Sequence, residues 1–75
     1  MNSHRDRYLD LFIGKRVKMW FKDGDILKGT LVYVEMDGRY ALKNCMDSKK
    51  GIIRPFTEFR KSHVKKLEVS KDERL

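Results

Sequence analysis

Cysteine, proline and histidine are scarce: the 75 residues hold one Cys, one Pro and two His. Cys45 has no second thiol to bridge, so the chain is not a disulfide-stapled miniprotein, and a reducing, cytoplasmic setting is expected. No Cys-x-x-Cys or His-x-x-x-His spacing is present, so neither a metal site nor a cofactor is expected. Cys45 and His63 form the single conceivable nucleophile–base pair. No Asn or Asp is placed to orient the imidazole, and a lone Cys beside a strand reads as a small packed residue. The glycines are scattered among turns, without the clustering of a phosphate-binding loop. No catalytic residue is therefore assigned, and neither an enzyme nor a small-molecule substrate is expected. Charged residues interrupt every apolar stretch well short of the roughly 20 residues a membrane helix needs. Met1 to Arg7 lack the apolar core of a secretory leader.

What the chain has in quantity is positive charge, 18 Lys+Arg against 11 Asp+Glu, a net of +7. Residues 1–42 carry +2, residues 43–66 carry +6 and residues 67–75 carry −1. A concentrated basic surface draws polyanions, nucleic acid first among them. The plain alternative is charge for solubility, for which this net value is ordinary.

The patterning predicts one domain over residues 1–75. A short helix is expected over residues 4–13, with Ser3 as N-cap, an apolar stripe of Tyr8, Leu11 and Phe12, and Gly14 as the stop. The period then drops to two. Val17, Met19 and Phe21 alternate with Arg16, Lys18 and Lys22, which describes a half-buried strand. Asp23-Gly24 marks a tight reversal. Ile26 to Val34 is a long strand with apolar residues on both faces, and Gly29 inside it marks a sharp bend. After a turn at 36–38, a third strand is expected over Tyr40 to Leu42, followed by a polar loop at 44–51. Ile52 to Phe59 is a fourth strand whose Pro55 cannot donate to a ladder, so it must be bulged or at an edge. Residues 60–63 connect to a fifth strand, Val64 to Val69, and 70–75 form a charged, frayed tail. The expected fold class is mainly all-β: a short helix, then a five-stranded, strongly bent small barrel over about 15–69, whose closure removes the exposed edges.

Several residues carry a resemblance. Gly14-Lys15-Arg16-Val17, Phe21-Lys22-Asp23-Gly24, Gly29-Thr30-Leu31, Glu35 and Leu42 match in type and spacing the first signature of the Sm/LSm family. Phe59-Arg60-Lys61-Ser62-His63-Val64 is similar to the second, keeping the arginine and the valine. The resemblance covers roughly residues 5–69. It implies a helix on a five-stranded SH3-like barrel, assembled into rings that bind RNA, a homo-oligomer without enzymatic activity. By register it places Asp37 where the family stacks a base, Arg39 where an Asn reads it, and Arg60 and Lys61 on the Arg-Gly pair. A carboxylate has no π face, so weak base selectivity is implied. Pro55 lies in the strand on which family rings close. A looser likeness links Phe59 to Leu67, after a bent hairpin, to short uncharacterised SH3-like barrel proteins of bacteria and phages.

The candidate nucleic-acid residues are Arg39, Arg54, Arg60, Lys61, His63, Lys65 and Lys66, because arginine forks and ammonium groups match phosphate. Phe56 and Phe59 are interleaved with them. The period puts Phe59 in the core and leaves Phe56 open between core and stacking. Trp20 fits three roles: a stacking platform, a protein contact, or cover for the barrel rim under the helix. Two functions follow. One is an Sm-like module binding RNA or another nucleic acid. The other is an SH3-like adaptor of bacterial or phage type, with a protein partner and an apolar groove near Trp20.

Overall fold

The computed structural model describes residues 5–70. The expected N-cap Ser3 lies outside them, as do His4 and residues 71–75 of the expected tail. Five antiparallel strands follow a short helix: α1 (Arg7–Asp10), β1 (Arg16–Phe21), β2 (Ile26–Val34), β3 (Arg39–Asp47), β4 (Ile52–Phe59) and β5 (Val64–Val69), with a 3-10 turn (Lys61–His63) before β5. The sheet order is β4-β3-β2-β1-β5. No helix among the described residues is long and apolar enough to cross a membrane.

The alternation read from β1 is realised: Val17 and Met19 are fully buried and Phe21 nearly so. They meet Leu27, Leu31, Tyr40, Leu42 and Cys45 in one core, with Leu9 closing it from the helix. Gly29 is the bend. A Cβ there would lie 2.9 Å from the Lys43 carbonyl oxygen and 3.0 Å from the Leu42 Cβ. The β2–β3 register also slips between Lys28 and Thr30, which pair with Met46 and Lys43. The extra residue falls in β3 around Asn44, whose φ of 51° is left-handed. Such a bulge sharpens local twist and lets one strand serve two directions of the sheet.

Three expectations are corrected. First, the helix is only four residues long and Asp6 caps it, its carboxylate accepting from the Tyr8 and Leu9 N–H groups. The segment then tightens: N–H groups of Leu11, Phe12, Ile13 and Lys15 bond carbonyls three residues back. That spacing turns Leu9 and Phe12 inward and leaves Tyr8 and Leu11 exposed, so the stripe follows a period of three rather than 3.6. Second, β3 runs to Asp47 rather than giving way to a loop at 44. Asp47 is buried at the strand end and accepts the Lys49 and Lys50 N–H groups at 3.0 and 3.1 Å. Those bonds hold its carboxyl below the usual range, Lys50 contributing most. Third, the sheet does not close by hydrogen bonds, since β4 and β5 are its two edges. Pro55 accordingly sits on an edge, level with Asn44 between the paired positions Lys43–Phe56 and Cys45–Arg54.

The Tyr40 hydroxyl seats the helical segment. It accepts the Asp6 N–H at 2.6 Å and donates to Asp10 Oδ1 at 2.7 Å. Arg5 pairs with the same carboxylate at 3.2 Å and lays its guanidinium 4.0 Å from the Tyr33 ring centroid. The Asp10 carboxyl is held below its usual range, first by Tyr40 and then by Arg5.

Two stability outcomes follow. Gly29→Ala should lower stability by about 1–3 kcal/mol, because the new methyl meets β3 backbone that cannot swing aside; an unchanged urea midpoint would mean the strands do not cross so closely there. Tyr40→Phe should cost on the order of 1 kcal/mol at neutral pH. A depressed native carboxyl contributes stability above its ordinary value and loses it as pH falls through the native one. The gap between wild type and Tyr40→Phe should therefore narrow on acidification, and urea melts at neutral pH and near pH 3 read it.

Candidate nucleic-acid interface

The 3-10 turn carries the chain from the end of β4, beside Tyr40, to the start of β5, beside Phe21. Phe59 bridges these points, its ring 5.6 Å from Phe21 and 6.4 Å from Tyr40. It is half-buried against the core, as its period required. Val34 meanwhile accepts the N–H groups of Asp37 and Gly38, which folds the β2–β3 turn back on itself. Between these two turns lies a pocket of about 370 Å³ lined by Asp37, Arg39, Tyr40, Phe59, Arg60 and Lys61, with Gly38 and Ser62. Three sequence-predicted cations, Arg39, Arg60 and Lys61, thus come together beside Asp37.

The pocket is not uniformly basic. Arg39 Nη1 stands 3.6 Å from Glu58 Oε1, across the β3–β4 ladder. The Glu58 carboxyl is raised above its usual range, chiefly by its hydrogen bond to Asp37, while Arg39 pulls the other way. Glu58 thereby offsets part of the Arg39 charge at the lip. Lys61 is also engaged, its Nζ donating to the Arg5 carbonyl at 3.4 Å. Arg60 is exposed and its carbonyl accepts the His63 N–H at 2.9 Å, which fixes the turn. Tyr40 is buried and Phe59 half-buried, so neither offers an open ring face for a base.

The other predicted residues are spread. Lys65 and Lys66 line a second pocket of about 390 Å³ with Asp6, Tyr8 and Leu9, and Lys61 lies on the boundary of both pockets. His63 is exposed and anchors β1 through its carbonyl, which accepts the Lys22 N–H at 2.9 Å. Arg54 sits opposite Cys45, six residues before Arg60 and so about 20 Å along an extended strand. Phe56, opposite Lys43, is 46% exposed on the edge and outside both pockets. Trp20 is half-buried and flanked by Lys66 and Lys18, whose Nζ atoms lie 4.8 and 5.2 Å from the ring centroid. Lysine stems, not the helix, flank it. Sequence reading missed Tyr40 and Phe59 as pocket walls. Both are aromatic at β positions, which signals a core and nothing more.

Cys45 is 1% exposed in mid-β3, and burial pushes its thiol up, away from the reactive thiolate. Among the described residues no three His, Cys, Asp or Glu side chains converge as a metal site would need.

No family model matches the sequence, and no curated protein does. Solved structures do. A novel Sm-like archaeal protein from Pyrobaculum aerophilum superposes with a TM-score of 0.70 at 18% identity, over 87% of this chain. This chain spans only 50% of that protein's length. The SmAP (LSm) protein from Methanococcus vannielii gives 0.66 at 25% identity, over 84% of this chain and 90% of that one. A heptameric archaeal Sm protein gives 0.69 at 19% identity, over 87% and 98%. These superpositions show that the chain has a divergent Sm-like fold.

Proposed function

We propose that this Sm-like module binds single-stranded RNA, with weak base selectivity, at the pocket between the β2–β3 turn and the 3-10 turn. One observation carries the reading. Asp37, Arg39, Arg60 and Lys61, which the resemblance assigns to the family's uridine pocket, are far apart in sequence and line one cavity. Arg60 and Lys61 supply phosphate contacts. Asp37 removes the stacking face, so discrimination between bases is small. The module acts in the cytoplasm as a binding protein, without catalysis. The cations beside Trp20 favour this reading over the adaptor, whose apolar groove was expected there.

The neighbour's heptamer and the two open edges, β4 and β5, support a homo-oligomer of this chain as well. Pro55 removes one N–H from the β4 edge, so the assembly is smaller or more labile than a stable ring. Light scattering at micromolar concentration should show a species that dissociates with dilution or salt; a salt-resistant hexamer or heptamer would show that Pro55 does not limit closure.

For RNA, three to five phosphate contacts give a log–log salt slope of roughly −2 to −3.5. Arg60→Ala with Lys61→Ala should flatten it by about one unit or more. Oligo-uridine should bind little better than oligo-adenosine or oligo-cytidine. Absence of binding to all three at low salt would retire the RNA reading in favour of a protein partner.

A further inference from the structure

The ladder register gathers charge that the linear sequence keeps apart. Val17, Met19 and Phe21 point into the core, so Arg16, Lys18 and Trp20 stand on the opposite face of β1. Directly paired residues share a face. Lys28 lies opposite Lys18, Thr30 opposite Arg16, and Lys43 opposite Thr30. On the other flank Lys66 lies opposite Trp20 and Glu68 opposite Lys18. Five cations and one carboxylate thus occupy one face of four adjacent strands, a net +4 of the chain's +7. Three of the five come from residues 1–42, whose own net is only +2. The carboxylates of that segment all lie in the helical segment and the two turns that follow, away from this face.

Trp20 stands amid this charge. Two ammonium groups lie over its ring, on flexible lysine stems that a stacking base can displace. Lys66 is paired with Glu68 at 3.2 Å, but both side chains are more than half exposed, where such a pair is weak and exchangeable.

We propose that this outer sheet face is a second nucleic-acid site, distinct from the pocket. Single-stranded nucleic acid lies across β5, β1, β2 and β3, its phosphates on Lys66, Lys18 and Lys43, and a base stacks on the Trp20 indole in place of a lysine stem. The charge calls for a polyanion, and the ring calls for one that carries π faces, which an acidic protein segment lacks.

The chain has one tryptophan, so emission excited at the red edge, beyond tyrosine absorption, reports this face. Twelve-nucleotide oligo-adenosine titrated into the full chain at low salt should quench it saturably, and polyglutamate should not. Lys18→Gln with Lys66→Gln keeps the indole and much of the stems; it should weaken the quenching titration at least several-fold and flatten its salt slope by about 1.4. Trp20→Ala, followed by anisotropy of labelled oligonucleotide, should weaken binding on the order of 5- to 150-fold. Arg60→Ala with Lys61→Ala should leave the quenching intact, which separates this site from the pocket. Binding by anisotropy without quenching, equal quenching by polyglutamate, or indifference to the paired glutamines would each overturn the proposal.

Discussion

The approach of β2 to β3 at Gly29 is the constraint from which the rest of the molecule follows. Because position 29 has no side chain, the Lys43 carbonyl can occupy the volume a Cβ would take. The strands then cross closely enough for the first half of β2 to pair with both β1 and the end of β3 while its second half pairs with the start of β3. Without that bend the sheet would be flatter, and Tyr40 and Phe21 would not share a core. Phe59 could not span them, and the 3-10 turn would have no reason to cross the barrel. The pocket, the seat of the helical segment and the curved outer face are three consequences of one missing methyl group.

β1 and the first six residues of β2 were legible because burial on one face imposes a period of two there, while β4 and β5 were placed by their β-branched and aromatic residues and the turns that bound them. β3 was not, because its bulge at Asn44 breaks the alternation: Leu42 and Cys45, three apart, both point inward. A polar-looking Asn-Cys-Met-Asp run hides a strand whose last residue is a buried turn cap. The helix was legible in place but not in pitch. Four residues cannot hold a 3.6-residue repeat, and bonds to the third residue back decide which side chains face in.

The site was partly legible for a different reason. Arg60, Lys61 and Arg39 could be assigned by analogy, and the fold does bring them together. Their weakening could not be foreseen, since Glu58 and the Arg5 carbonyl reach them only through the ladder and the seated helical segment. Charge counted along the chain pointed to residues 43–66. Charge counted by register shows a second concentration, in which Arg16, Lys18 and Lys28 share a face with Lys43 and Lys66 from the far end of the sequence.

The open edge at β4 bears on how the chain survives before it finds its partners. Ile52, Ile53 and Phe56 are exposed along a strand whose outer edge is unpaired, a composition that invites indefinite strand-upon-strand growth. Arg54 and Pro55 divide that run at its middle, one adding charge and the other withholding a donor. A neighbouring strand can satisfy part of this edge but cannot template a continuous cross-β ladder along it. Pro55 with Arg54 is thus a gatekeeper of this edge, opposing fibril growth along it.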